Sequence, residues 1–319
     1  MATMEKVNKM KLLTPQDLMA KSADDREEIS GHDLNTVFQQ SLAHWKYGEK
    51  KQTKPMEFGL VSHAIILDHE RFNAEYCKDL DVEEYPDALV TSNDLKAWLK
   101  DRGQKVSGVK AELIQRIEET AQLTLETVFI WDRMLANHAE ANKDKKMVSV
   151  DVYHTVQQMR SAIFSDELIN NMLNGGIADH GIVGKLPICK AVNICRPHII
   201  TAGGNIVRYC TSTDVHPEKF GDKCYWYGYL LTASLEWDMF TELYGQPPKS
   251  YVFLAQEKES PFVWKPYYIT EEQLNIGRAQ REYAQSLIEN AIETDKYSAY
   301  GHEPAPLEIS NHIMKKYED

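Results

Sequence analysis

The chain has 319 residues, 43% hydrophobic and 26% charged, which is enough for one large core with a small accessory module. A net charge of −12 excludes a surface that is basic throughout, so any nucleic-acid contact must come from a local basic patch. Five cysteines, an odd number with no CxxC pair and no signal peptide, point to a reducing cytosol, and no run of about 18 apolar residues offers a membrane span.

Residues 1–30 are polar and charged and read as an appended arm, with one helix start where Thr14 can cap and Pro15 can open a turn. Leu34, Val37, Phe38, Leu42 and Trp45 then recur at helical spacing up to Gly48. From Pro55 to Leu67 the apolar pattern fits a buried helix, with Gly59 permitting close packing and His63 at its centre. A lone histidine on such a helix is more often a satisfied core residue than a metal ligand.

Thr91–Ile117 is the cleanest local signal. Leu95, Trp98 and Leu99 mark a helix stopped by Gly103, Val106 lies in an extended link, and Gly108 precedes a second helix carrying Leu113, Ile114 and Ile117. Lys96, Lys100, Arg102, Lys105, Lys110 and Arg116 stand against Asp94, Asp101 and Glu112, a local excess of three positive charges on an acidic chain. Phosphate contact needs such an island. The bland alternative is a solvated helical hairpin flanked by Glu118 and Glu119 that contacts protein.

Helical spacing is read throughout 122–176 (Leu125, Val128, Phe129, Trp131, Leu135, then Val152 to Leu173), with a lysine-rich loop at 142–146. Ile199-Ile200 and Ile206-Val207 flank Thr201-Ala202-Gly203-Gly204-Asn205, which reads as a hairpin. That hairpin sets His198 opposite Arg208, with cross-strand Cβ atoms about 5 Å apart. Four cysteines crowd this region, Cys189, Cys195, Cys210 and Cys224, at a spacing that matches no zinc or iron–sulfur pattern and suits buried free thiols. Two closing strands at 251–255 and 262–269 precede a helix over 270–290 capped by Thr270.

The hairpin, with Cys189-Lys190-Ala191, Cys195-Arg196-Pro197 and Thr211-Ser212-Thr213-Asp214 around it, resembles the exonuclease VIII family of PD-(D/E)XK nucleases. That family reads Arg-Pro-Asp, an apolar hairpin, then Asp-x-Lys-Thr-Thr-x-Asp. Laid on this chain, its first catalytic Asp falls on His198, its second on Arg208 and its Lys on Cys210. Another register puts the first Asp at Asn193 or Ile194, and neither register supplies an acid. Gly59-x-x-x-His63 resembles the spacing at which the related nuclease domain of the bacterial RecBCD helicase-nuclease carries a metal-ligating His. Gly175-Gly176-Ile177-Ala178-Asp179 puts Asp179 where the family has a catalytic Glu, and Tyr227-Gly228-Tyr229 resembles its Tyr-Gly-Tyr-His-x-Gln helix, with Leu230 for the His and Thr232 for the Gln. Thr91–Ile117 resembles a SAP domain, matching Leu-Lys-x-x-Leu-Lys-x-x-Gly and Gly-x-Lys-x-Glu-Leu, and such domains bind duplex DNA mostly through its backbone.

These resemblances imply an α/β fold with a PD-(D/E)XK nuclease-like central mixed sheet flanked by helices. They divide the chain into an arm (1–30), a core (31–88 and 123–319) and a small inserted helical SAP module (89–122). Phosphodiester hydrolysis needs clustered carboxylates for Mg²⁺ and usually a lysine. The degenerate positions His63, Asp179, His198, Arg208 and Cys210 supply one acid, and Arg208 puts a permanent charge where the cation would sit. A zinc-type set of His63, His198 and Asp179 is opposed by the same arginine. The expectation is a non-catalytic phage-type DNA-binding protein of the bacterial host cytoplasm, without cofactor, acting in or against DNA recombination or end processing. In it the pocket of His198, Arg208 and Lys190 would hold a phosphate. Two alternatives stand beside it: a protein-interaction module that inhibits or decoys a host or phage nuclease or recombination complex, and an active Mg²⁺-dependent exonuclease. The partners implied are duplex DNA and a recombination or host nuclease protein, with homo-oligomerisation open and no membrane.

Overall fold

The fold is taken from a computed structural model, in which residues 10–20, 27–49, 52–301 and 303–307 are described. A five-stranded sheet has the order β11-β10-β9-β8-β5, built from β5 (Ile177–Ala178), β8 (Ile199–Ile200), β9 (Ile206–Ser212), β10 (Tyr251–Glu257) and β11 (Trp264–Tyr268). β9 and β10 run parallel, and the other neighbours antiparallel. A second sheet, β1-β6-β7-β2, joins β1 (Lys11–Leu13), β2 (Ile29–Ser30), β6 (Gly181–Gly184) and β7 (Asn193–Cys195).

Side-chain alternation along β9 splits the core into two layers. Ile206 and Cys210 pack with α2 (Gly31–Gln39), α12 (Tyr229–Tyr244) and α13 (Glu271–Thr294). Val207 and Tyr209 pack on the other face with α4 (Lys54–Leu67), α5 (His69–Glu75) and α9 (Val150–Phe164). The helix pair α12 and α13 lies close because Gly277 has no side chain: a Cβ there would sit 2.1 Å from the Leu230 carbonyl oxygen. Thr270 caps α13 with a full capping box, as its sequence predicts.

Several expectations need correction. The segment read as an appended arm supplies two strands, because Lys11–Leu13 pair with Gly181–Val183 and Ile29 with Asn193. The helix expected from Leu34 to Trp45 is two, since Ser41 breaks the run and caps α3 (Leu42–Tyr47) with its side chain. The stretch 122–176 is not helical throughout. Leu125 is left-handed (φ 57°) and ends α7 (Lys110–Thr124), and a short strand β4 (Lys146–Val148) pairs with β3 (Tyr76–Lys78) between α8 (Trp131–Ala141) and α9. The Tyr227-Gly228-Tyr229 stretch, compared above with a helix motif, turns at left-handed Gly228, which separates α11 (Pro217–Trp226) from α12. α10 (Glu167–Leu173) leads into the Gly175-Gly176 turn before β5.

Residues 89–130 have a core of their own. Leu95, Leu99, Leu113, Ile114, Ile117 and Ile130 are buried together, with Leu89, Trp98 and Val128 against them, so the cluster reaches beyond residue 122. A 3₁₀ turn at Val82–Glu84 precedes it. Its helices are α6 (Ser92–Asp101), started by a Thr91–Asp94 capping box, and α7. Leu89 bridges Ile130 in parallel, which brings entry and exit of the segment side by side. No helix among the described residues is long and apolar enough to cross a membrane.

Candidate functional site

The hairpin register places the expected residues in one row. Ile199 faces Val207 and Ile200 faces Ile206, so His198 lies opposite Arg208 one step before them. Ala178 faces Ile199, so Asp179 lies opposite His198 on the other side. Asp179 has left-handed backbone (φ 52°), a conformation aspartate tolerates, and its N–H donates to the His198 carbonyl at 3.0 Å. The turn that delivers it requires Gly176, where a Cβ would sit 2.8 Å from Ile199 and 3.0 Å from the Ile200 carbonyl. From α4, the His63 ring meets that of His198 edge-on, centroids 4.2 Å apart.

The row is tied up internally. Arg208 Nε donates to the Tyr251 hydroxyl at 3.0 Å, its Nη2 pairs with the fully buried Glu236, and Tyr251 donates to the other Glu236 oxygen at 2.8 Å. His198 Nδ1 accepts the Tyr209 N–H at 3.2 Å, while Arg208 Nη1 stands 3.3 Å from Nε2. Asp179 is held by Arg71 (3.4 Å), Arg196 (3.3 Å) and His63 (3.5 Å). Burial raises its carboxyl pKa, against the pull of Arg196 and Arg71, and Asp68 stands within hydrogen-bonding reach.

Burial, helped by Arg71, Arg196 and Arg208, pushes His63 down to about 3. His198 is lowered likewise, first by burial and then by His63 and the same arginines. Both rings are therefore neutral at pH 7. A neutral imidazole has one acceptor nitrogen; in His198 the Tyr209 N–H takes Nδ1 and the Arg208 guanidinium covers Nε2, so neither ring nitrogen is open to a metal. Mg²⁺ wants several oxygen ligands; here the Asp179 carboxyl, with Asp68 beside it, faces the Arg71 and Arg196 guanidinium groups, and both Glu236 oxygens are used by Arg208 and Tyr251. This residue set does not fit a divalent cation.

Cys210 lies beyond Arg208 on the same face of β9, with its thiol pushed up to about 12 by burial, so it is neutral and cannot stand for a lysine. Cys189, Cys195 and Cys224 are also buried free thiols. Lys190 is not in the pocket; its ammonium pairs with Glu293 at the end of α13. The spare donor near Asp179 belongs instead to Arg196, whose Nε ion-pairs with Asp179 and whose Nη2 is buried without a hydrogen-bond partner among the described residues. Sequence reasoning missed Arg71, Arg196 and Glu236. Glu236 had a signal: it is an acid among Leu231, Leu235, Met239 and Phe240, in an otherwise apolar stripe of α12.

On the insert, the six basic residues divide. Lys96, Lys100 and Lys105 are exposed and carry no ion pair among the described residues. Arg102 stacks on Trp98, 3.8 Å from its centroid, and pairs with Glu126; Lys110 pairs with Asp132 at 2.7 Å. Arg116 donates to the Lys105 and Ser107 carbonyls and so ties the link to α7. Residues 89–121 match the SAP domain family. The SAP domain points to DNA binding, and its exposed lysines are on α6 and in the link.

Across nearly its whole length the chain is similar in fold to a crystal structure from Eubacterium rectale, a protein provisionally described as an exonuclease. The TM-score is 0.52 at 10% identity, covering 96% of this chain and 98% of that one. The likeness carries the fold alone, a mixed α/β architecture, while the SAP domain rests on the family match at residues 89–121. No curated protein matches the chain.

Proposed function

We propose that this protein binds duplex DNA through its SAP domain and that its nuclease-like core does not hydrolyse it, the whole acting as a phage-type factor in or against recombination or end processing. The observation that carries the reading is Arg208, whose guanidinium is fixed by Glu236, Tyr251 and His198 at the centre of the row where a hydrolase gathers carboxylates. Binding is assigned to Lys96, Lys100 and Lys105, which are free to release counterions from phosphates. Incubation of linear duplex with Mg²⁺ or Mn²⁺ should release no nucleotides, while the same duplex is retarded in a salt-sensitive manner. Metal-dependent degradation abolished by Asp179→Ala would overturn the non-catalytic part. Absence of salt-sensitive binding would overturn the DNA-binding part and favour the protein-interaction reading, to which the exposed Leu123, Leu125 and Phe129 lend an apolar contact surface.

A further inference from the structure

A second basic surface stands outside the SAP domain, at the carboxyl ends of the parallel strands β9 and β10. In open α/β sheets that edge is where ligands bind, because the chain leaves the sheet there in loops that helices can flank. Two lysines converge on Ser212, the last residue of β9. The backbone N–H of Lys258 donates to the Ser212 carbonyl at 3.2 Å, and the Lys223 ammonium, from α11, bonds the Ser212 hydroxyl at 2.8 Å and that of Thr213 at 3.0 Å.

Neither lysine forms an ion pair with a carboxylate among the described residues. The Asp214 carboxylate is hydrogen-bonded by Lys219 and the His216 N–H and reaches Lys223 only through space, bonding it through its backbone carbonyl, and Glu257 accepts the Val215 N–H. Lys258 carries no ion pair among the described residues, its ammonium lying 5.7 Å from the Phe58 ring. Burial and the like charge of Lys223 lower its pKa. Two cations held near each other at a strand edge, neither with an ion-pair partner among the described residues, are a standing attraction for an anion.

The same helix supplies rings. Trp226 follows Lys223 by three residues, so the two side chains share a face of α11. Trp226 is 67% exposed and meets the 42% exposed Tyr225 edge-on at 5.2 Å. Tyr227 beside them is exposed as well. An indole left in water next to a lysine pair combines a stacking surface with backbone neutralisation, the arrangement that binds unpaired nucleotides without reading sequence.

The geometry points to a binding site for single-stranded nucleic acid on this surface, with Lys223 and Lys258 on consecutive phosphates and Trp226 stacked on a base. The site is separate from the SAP domain, and it gives the protein hold of an unpaired DNA end while the SAP domain holds the adjoining duplex.

The test uses the full chain and two fluorescent probes, an oligothymidine of about 15 nucleotides and a blunt hairpin duplex, read by anisotropy across a salt series. Trp226→Ala, which removes an exposed ring, should weaken oligothymidine binding roughly tenfold and leave duplex binding unchanged. Lys223→Ala with Lys258→Ala should flatten the single-strand salt slope by about 1.4, and Lys223→Arg should restore its share. Lys96→Ala, Lys100→Ala and Lys105→Ala together should do the reverse, weakening duplex and sparing oligothymidine. Wild-type protein that binds duplex but not oligothymidine overturns this site while sparing the SAP reading. Unchanged single-strand affinity in Trp226→Ala, or its loss in the SAP variant, also overturns it. Oligothymidine binding that persists where duplex binding is absent upholds this site and removes the SAP reading instead.

Discussion

The guanidinium of Arg208 on β9 and the carboxylate of Glu236 on α12 form an ion pair in the core, completed by the Tyr251 hydroxyl, which bonds both partners. Glu236 is wholly buried and Arg208 is 19% exposed on its side chain. Removing one partner of a buried pair strands the other charge, whereas replacing both by apolar groups removes the desolvation penalty as well. Glu236→Ala should therefore lower the free energy of urea unfolding by about 3 to 5 kcal/mol. The double variant Arg208→Met with Glu236→Leu should unfold near the wild-type midpoint. A Glu236→Ala midpoint equal to wild type would contradict the pairing.

The two histidines make stability pH-dependent. An unfolded histidine takes a proton near 6.5, whereas His63 in the fold resists until about 3, and His198 is lowered in the same sense. Between those values the unfolded chain binds more protons, so stability falls as the pH drops. Asp179, with its raised pKa, works the other way by letting the native state take a proton early, and offsets one histidine in part of the window. The net expectation is a free energy of urea unfolding that declines from pH 6.5 to 4.5, by up to ~1.4 kcal/mol per pH unit for each proton excluded. His63→Asn should flatten that decline; an identical slope in the variant would show that His63 titrates normally.

Salt dependence separates the free lysines of the SAP domain from the paired ones. Each phosphate contact contributes ~0.9 to the slope of log affinity against log salt on duplex DNA. Replacing Lys96, Lys100 and Lys105 by alanine should thus flatten the slope by up to ~2.7. Lys110→Ala should change it less, because that ammonium is engaged by Asp132. A larger effect from Lys110 than from Lys96 would mean that DNA breaks the Asp132 pair.

The small core of the SAP domain sets its own stability. Leu99 is fully buried among Leu95, Leu113 and Ile117, and Leu→Ala at such a site costs about 2 to 5 kcal/mol. Leu99→Ala should abolish duplex retardation while hydrogen-exchange protection of β9 and β10 persists. Simultaneous loss of protection in those strands would show that the segment and the sheet unfold as one unit.

How far the sequence could be read depends on the range of the contacts involved. The SAP helices were legible because caps, stop and apolar stripe all lie within about thirty residues, and the hairpin because a two-glycine turn fixes register locally. That register alone set His198 against Arg208. Whether Arg208 was free or spent was not legible, because its partner Glu236 comes from a helix that only the tertiary fold brings over β9. Lys11–Leu13 escaped detection for the same reason, since a three-residue strand takes its pairing from Gly181–Val183, far along the chain.

Leu89 and Ile130 sit on adjacent backbones, with the Leu89 N–H donating to Phe129 and the Trp131 N–H to Leu89. Two chain ends one strand spacing apart, about 5 Å, can be joined by a short turn or by forty residues with little difference to what lies beneath. Loop closure adds only ~0.6 kcal/mol for each doubling of length. The SAP segment is in that sense a detachable cassette: splicing residue 88 to 131 through a short glycine linker should leave an α/β core that folds, and grafting 89–130 between adjacent strand ends of an unrelated scaffold should carry the lysines with it.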